Sequence, residues 1–347
     1  MRKLASIQRV WDILSIEGAD RIELIKVEGW QCVANKGQFN KGDLCVYFEI
    51  DSFLPIREEF EFLRSSSYKK TDIMGEGFRL RSMKFRGQIS QGLALPVSSF
   101  PEIENPELGK DVSEILGVKK WEIEERATTG GTVIGPLPYD VPHTDEIRVQ
   151  NFPEFAVPFS GLEYYISTKM DGSSHSLSID ENGFHVCGHN YEYKDDGTSS
   201  FYEFVKQRGY KEVMEKFYDD NDLKGPITIQ GEFCAPGIQK NPLKLTKPEW
   251  YVFTVRSEGK RVGLETMKWA CKEMGMPMVP LEEIGIDLPS KYPTVEALLE
   301  RAEGTYETGG RKEGIVVRTT EPVYNETIGG PLSMKVVSNK YLLKNGD

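Results

Sequence analysis

The sequence has no apolar run long enough to cross a membrane, and Met1, Arg2 and Lys3 are not followed by the apolar stretch of a secretion signal. It has no low-complexity segment and no internal repeat, and its charged residues are spread without the bias of a disordered tail. Cysteine is scarce. Cys32, Cys45, Cys187, Cys234 and Cys271 are odd in number and no two stand at C-x-x-C spacing, which argues against a disulfide framework or a zinc site. The expectation is an intracellular protein, cytoplasmic or, in a eukaryote, nuclear, with reduced thiols in its core and no membrane partner. Positive charge is also in deficit: 43 Lys and Arg face 54 Asp and Glu, for a formal net charge of −11. That lowers the expectation of tight non-specific nucleic-acid binding, yet phosphate contact needs only a local basic surface. Between Arg64 and Arg86 seven Lys or Arg meet only two acids, Asp72 and Glu76, and after Lys335 come Lys340 and Lys344 with no acid before Asp347.

At 347 residues the chain has room for two domains with separate cores. Residues 1–117 read as β-rich. Short alternating runs, Arg21–Val27 and Leu44–Ile50, are separated by turns at Gly29, Gly37 and Gly42, a spacing that suggests a small closed barrel. Gly18-Ala19-Asp20-Arg21 and the later Lys41-Gly42-Asp43 resemble OB-type nucleic-acid-binding domains. Residues 118–143, with Thr128-Thr129-Gly130-Gly131 and Gly135-Pro136-Leu137-Pro138, break any periodicity and read as a linker. Residues 144–347 mix strands (Glu163–Thr168, Ile227–Glu232, Tyr251–Val255, Gly314–Arg318) with helices near Ser199–Lys216 and Glu265–Met274. The fold class expected is α+β: a barrel followed by a domain of antiparallel sheets with flanking helices.

The chemistry centres on Lys169-Met170-Asp171-Gly172-Ser173-Ser174, behind the apolar run Tyr164-Tyr165-Ile166. A lysine at a strand end, with glycine three residues on, can sit on a pocket floor while the chain turns away. Alone, K-x-D-G more often marks a surface lysine before an Asp-Gly turn. Its weight comes from four further motifs, in order along the chain. They are Gln230-Gly231-Glu232 ending a β-rich run, the aromatic strand Tyr251-Val252-Phe253-Thr254-Val255, Glu313-Gly314-Ile315-Val316-Val317-Arg318, and Ser333-Met334-Lys335. Taken singly, each glutamate would be a solvated strand-end charge, Phe253 ordinary core and Lys335 a surface lysine.

Five such motifs in this order resemble the covalent nucleotidyltransferase superfamily of ligases and capping enzymes. The resemblance implies ATP as the AMP donor, Lys169 as nucleophile, and magnesium or manganese held by Asp171, Glu232 and Glu313. It implies adenine stacking on Phe253, with Tyr251 as the alternative on the same strand face, and contact of Lys335 with the α-phosphate. Gly172 and Asn190 fall within the nucleotide-binding motifs, and Arg148 is placed to orient the β and γ phosphates, although a solvated strand-edge arginine is an equally good reading. A lysine amine attacks phosphorus only when neutral, so a depressed pKa is expected at Lys169.

Departures from the pattern narrow the resemblance. DNA ligases and capping enzymes carry an arginine two residues beyond the glycine, whereas this chain has Ser174, as in RNA ligases. His189 replaces a frequent arginine in Gly188-His189-Asn190, and Ser333 replaces the first lysine of K-x-K, leaving more of the electrostatic work to Lys335 or Lys340. Only twelve residues follow Lys335 (347 − 335), too few for an OB domain after the last motif. An OB-like module at the N-terminus instead resembles the RNA ligases that seal nicks in duplexes. The resemblance thus implies sealing of 3′-hydroxyl and 5′-phosphate ends, with nicked or broken RNA-containing nucleic acid as the partner and no obligate protein partner. The alternatives are a capping-type nucleotidyltransferase and an inactive nucleic-acid-binding relative. In the first domain, Phe78–Arg86 alternates basic and apolar residues, and Arg79, Arg81, Lys84 and Arg86 are expected to form a phosphate-gripping strip on one strand, with a bulge between Arg81 and Lys84.

Overall fold

Strand-forming alternation governs the first part of the chain. In the computed structural model, which describes residues 2–121 and 131–345, Ile22–Val27 pairs antiparallel with Ala5–Ser15 on one side and Trp30–Asn35 on the other. Leu44–Phe48 pairs with the opposite edge of Ala5–Ser15, and Leu93–Pro96 completes the five-stranded sheet. Its two end strands come together where Gln91 N–H donates to Gln31 C=O at 2.9 Å and Val33 N–H to Ser90 Oγ at 3.0 Å. The sheet thus curls into the closed barrel that the short, evenly spaced strands predict. A second sheet orders Lys119–Lys120, Ser52–Leu54, Gly75–Arg79 and Tyr68–Thr71. Two apolar clusters fill this part, one around Phe48, Phe60, Phe78 and Phe100 and one around Val10, Trp30, Cys32, Cys45 and Tyr47.

These strands belong to a compact unit of Met1–Glu124, Val149–Pro153 and Asn339–Asp347; the second unit is Glu125–Arg148 with Glu154–Ser338. Within the segment 118–143, Lys119–Lys120 forms a short strand on Ser52–Leu54 and Val133–Pro136 pairs with Tyr191–Tyr193. Thr128, Thr129 and Gly130 lie outside the described residues.

Among the described residues the second unit holds two large sheets and a two-stranded ribbon of Tyr324–Asn325 with Gly330–Pro331. A seven-stranded one runs Val133–Pro136, Tyr191–Tyr193, Gly183–Cys187, Ser173–Asp180, Ile227–Cys234, Glu249–Ser257, Lys260–Arg261. A five-stranded one runs Ile147–Arg148, Ser333–Val337, Gly314–Thr319, Glu163–Lys169, Leu281–Ile286. All pairings are antiparallel except that of Ile147–Arg148 with Ser333–Val337. Helices cover the seven-stranded sheet through Phe201, Phe204, Met214, Leu264 and Met267, which share a core with Ile229, Phe233 and Trp250. The single helix expected over Ser199–Lys216 is two, Ser200–Arg208 and Tyr210–Asp220. Ser199 caps the first, its side chain accepting from Tyr202 N–H at 3.2 Å, and Gly209 breaks the run in the left-handed region at φ 64°. All five cysteines are free and buried. No helix among the described residues is long and apolar enough to cross a membrane.

Candidate active site

Lys169 ends the strand Glu163–Lys169 and stands opposite Gly314, the first residue of the neighbouring strand. That register brings up the preceding residue, Glu313, and Lys169 Nζ donates to Glu313 Oε2 at 2.8 Å. Past Lys169 the chain turns through Met170, Asp171 and Gly172 and enters the other sheet at Ser173. There Glu232 lies across from Ser174, and Gly172 N–H donates to Glu232 Oε1 at 3.1 Å. The lysine therefore sits where one sheet hands the chain to the other, between two carboxylates contributed by strands far apart in sequence.

A cavity of about 180 Å³ opens over this junction, with Glu232, Phe253, Lys335, His189, Glu146 and Arg318 among its walls. Phe253 reaches it through a β-bulge: Gln230 pairs with Thr254 and Gly231 with Val252, so Phe253 is the extra residue of its strand. Lys335 comes from Ser333–Val337, opposite Val316 and beside Arg148 in parallel register. The sequence-predicted set does not converge entirely. Tyr251, Asp171, Gly172, Asn190, Arg148 and Glu313 are not among the cavity walls; Glu313 reaches the site only through its bond to Lys169, Asp171 and Arg148 are buried, and Asn190 is exposed while its neighbour His189 faces the cavity. His189 Nε2 stands 3.7 Å from Asp145 Oδ2, and its ring centroid is 5.6 Å from that of His143. Ser174, in the place of an arginine, shares a 2.6 Å hydrogen bond with Thr144 Oγ1.

Three features escape a reading by motif. The first is an ion network. Arg318, 4% exposed, donates from Nη2 to Glu146 Oε1 at 2.7 Å, and Arg261 Nη2 reaches the same oxygen at 3.3 Å. Burial alone would raise the Glu146 carboxyl, but Arg318 and Arg261 outweigh it and hold it below the usual range. Arg318 also donates from Nη1 to the Phe253 carbonyl and from Nε to Ser333 Oγ at 3.1 Å, so the serine in place of the expected lysine is one of the groups that hold this arginine. The second and third are Tyr306 and Glu282, which touch the backbone and neighbours of Lys169 and Glu313. Neither carries a sequence signal, since a tyrosine in a loop and a glutamate in an edge strand are ordinary residues there.

The electrostatics reverse one expectation. Burial pulls the Lys169 ammonium down, but Glu313, Glu232 and Asp171 together override it and hold its pKa above the ordinary lysine value. Surrounded by the protein's own groups, Lys169 is a cation. Burial pushes the Glu232 carboxyl up to about 7; Lys169 opposes this, and Glu313 and Asp171 reinforce it. A carboxyl driven toward neutrality by burial, with two other acids adding to the effect, marks a place that favours further positive charge. Among the described residues no three His, Cys, Asp or Glu side chains are arranged as a metal cage. The raised Glu232 carboxyl beside Glu313 and Asp171 is what fits a divalent cation, since magnesium and manganese take one or two carboxylates and complete their shells with phosphate oxygens and water.

In the first unit the basic strip does not lie on one strand. Arg79 is buried, its guanidinium 5.0 Å from the Trp121 ring. The strand ends there, and the chain resumes as a hairpin of Met83–Phe85 and Gln88–Ser90 that exposes Lys84 and, at its tip with φ 47°, Arg86. Arg81 lies between the two and is half-buried. Pairing of Phe53 with Arg79 ends the first strand and replaces the expected bulge by a break.

Residues 162–337 match the RNA ligase family model, and residues 4–97 match an OB-fold domain. Among solved structures, the chain is similar to the RNA ligase of Naegleria gruberi with PPi, at 30% identity and TM-score 0.88, over 99% of this chain and 98% of that one. A glutamate-to-alanine mutant of that ligase with ATP and Mn matches at TM-score 0.89 and 30% identity over 100% of both chains. Another, with AMP and Mn, gives 0.88 and 30% over 99% of this chain and 100% of that one. No curated protein gives a significant match.

Proposed function

The chain belongs to the ATP-dependent RNA ligase family, and we propose that within it the enzyme seals 3′-hydroxyl to 5′-phosphate ends, chiefly nicks in duplexes whose 3′-hydroxyl strand is RNA. The second unit would carry the adenylylation chemistry and the first would contact the nucleic acid. The observation that carries the reading is Lys169 held 2.8 Å from Glu313 at the floor of a cavity walled by Glu232, Phe253 and Lys335.

In this reading the Lys169 ammonium first gives up a proton to solvent once the nucleotide is bound, and the neutral amine attacks the α-phosphorus of ATP. A P–N bond forms, the bond to the bridging oxygen breaks, and pyrophosphate leaves. The AMP then passes to the 5′-phosphate end, freeing Lys169, and the 3′-hydroxyl displaces AMP to form the phosphodiester. Phe253, aimed by its bulge and braced through its carbonyl by Arg318, presents a ring for the adenine. Lys335 faces the same cavity and supplies positive charge where the pentavalent phosphate forms. Glu232 and Glu313 would hold the divalent metal, which when bound cancels the carboxylate charge that keeps Lys169 protonated and offsets charge growing on the phosphate. The pKa above the ordinary value thus supports a site whose nucleophile is released by nucleotide arrival and is otherwise guarded as an ion pair. Ser174 in place of an arginine, and the OB-fold preceding the catalytic part, support the RNA-sealing branch over capping.

The test has two parts. Incubation with α-labelled ATP should leave label on the protein, lost in Lys169→Ala; a GTP adduct in its place would point to capping. A nicked duplex differing only at the terminal sugar should then be sealed with ribose and at least about tenfold more slowly with deoxyribose, as expected for a site that reads the 2′-hydroxyl or its geometry. Equal sealing would make this a general nick-repair enzyme.

A further inference from the structure

A buried tyrosine and a half-buried glutamate outside the motif set tie the lysine's strand end to the loop that carries Glu313. Tyr306 OH donates to the Lys169 carbonyl at 3.0 Å and accepts from Glu313 N–H at 3.2 Å. One hydroxyl thereby spans the backbones of nucleophile and partner. The tyrosine is 7% exposed, in an apolar cluster with Met170, Cys234, Leu243 and Val279. Its loop is closed by Tyr306 N–H to Gly310 C=O at 2.7 Å and by a bridge between Thr305 and Arg311. Gly310 also lets the loop lie against the segment at Pro242: a Cβ there would stand 1.7 Å from the Pro242 carbonyl oxygen.

Glu282 forms the second link, one residue back on each side. Its carboxylate accepts from Thr168 Oγ1 at 2.8 Å, from Lys312 Nζ at 2.8 and 2.9 Å, and from Arg301 Nη1 at 2.7 Å. Lys312 is 5% exposed, so the cationic partner of Glu282 is buried and cannot be left unpaired without cost. Glu282 is aimed by a register shift in the edge strand, where Ile166 faces Glu283 and Ser167 faces Leu281, leaving Glu282 as the extra residue. Thr168–Lys169 and Lys312–Glu313 are thus linked twice, once through a hydroxyl between backbones and once through a carboxylate between side chains.

We propose that Tyr306 and Glu282 are positioning residues that hold the Lys169 amine and the Glu313 carboxylate in the geometry from which the amine attacks. Neither faces the cavity, so their action runs through Lys169 and Glu313, and nucleotide affinity is left to the cavity walls. A displacement of about 1 Å at a reacting group costs on the order of a hundredfold in rate, which makes such links consequential without substrate contact. The inference rests on the lysyl-AMP chemistry proposed above.

The experiment is single-turnover formation of the labelled AMP adduct across an ATP titration, with wild type, Tyr306→Phe and Glu282→Gln, beside thermal melting of each. Tyr306→Phe keeps the ring in its cluster and removes only the hydroxyl. The expected result is a saturating rate lower by about tenfold or more, with half-saturating ATP within about twofold of wild type and melting nearly unchanged; Glu282→Gln should lower the same rate. Unchanged saturating rates in both variants would overturn the proposal. So would rate, ATP affinity and melting temperature falling together, because that pattern belongs to a general structural role. If wild type forms no adduct, the ligase chemistry itself fails, whereas a wild-type adduct with unaffected variants refutes the positioning links alone.

Discussion

A Cβ built on Gly172 would stand 2.5 Å from the Phe233 carbonyl oxygen, 2.8 Å from Cys234 Sγ and 3.0 Å from Glu232 Cγ. The glycine's backbone does not lie in the left-handed region, so its requirement is closeness of approach and not turn geometry. Gly172→Ala should therefore push the turn away from Glu232, weakening the Gly172 N–H to Glu232 hydrogen bond and shifting Lys169. Overpacking of this kind costs about 1–3 kcal/mol. Denaturant unfolding should register that loss, and adduct formation should fall by at least about tenfold; a variant of wild-type stability and rate would show that the turn yields. The same residue shows what sequence can convey. That Lys169, Glu232, Phe253 and Lys335 meet at one cavity, with Glu313 bonded to the lysine, could be read from the order of the motifs. The charge state of Lys169 could not, because three acids from separate segments decide it and the sum exists only after folding.

At the scale of the element, two paired strands of the seven-stranded sheet, Ser173–Asp180 and Gly183–Cys187, carry opposite responses to pH. His175 is buried, 4.2 Å from the Phe201 ring centroid, and its Nδ1 lies 2.9 Å from the Ser173 carbonyl. A carbonyl only accepts, so Nδ1 carries the proton of a neutral ring. Burial lowers its pKa from 6.5 to about 4. The unfolded chain thus takes up a proton below the unfolded value that the fold refuses, and stability is lost as pH falls from about 6.5 toward 4, amounting to about 3 kcal/mol. Urea unfolding of wild type and His175→Asn should show the stability difference between them shrinking by about this much on acidification; a pH-independent difference would mean the ring is hydrated. His185 answers in the other direction. Burial lowers its pKa, but Glu192 at 2.7 Å and Asp180 at 3.0 Å override it and raise it. Its contribution is complete below the unfolded value and is lost as pH rises through the folded one. Elements were legible where periodicity persists, as in Glu163–Lys169 and Ile227–Cys234. They were misread where one residue overrides the period: Gly209 splits the helical run, and the bulge at Phe253 breaks the alternation that would have put Tyr251 on the same face, so Phe253 lines the cavity and Tyr251 does not.

For the molecule as a whole, the question is how a chain of net charge −11 engages a polyanion. Long-range attraction cannot come from the total, so binding must depend on local cations and on their release of counterions. The barrel and the order of the two parts were legible from strand spacing, but which basic residues reach water was not, because Trp121, pairing with Arg79 through its ring, lies 42 residues further on (121 − 79). Of the expected strip, Lys84 and Arg86 on the Met83–Ser90 hairpin are exposed and Arg79 is buried. Removing charge at Lys84 and Arg86 together should weaken binding to a nicked duplex and flatten the slope of log affinity against log salt by about 0.9 for each phosphate no longer neutralised. Adenylylation in the absence of nucleic acid should stay at wild-type rate. Arg79→Ala should behave differently: it strips the guanidinium from the Trp121 ring, lowering thermal stability while leaving the salt slope of the folded protein near wild type. If the hairpin variant binds with an unaltered slope, phosphate contact lies on another face of the unit. If Arg79→Ala alone flattens it, the buried arginine must turn outward when the duplex binds.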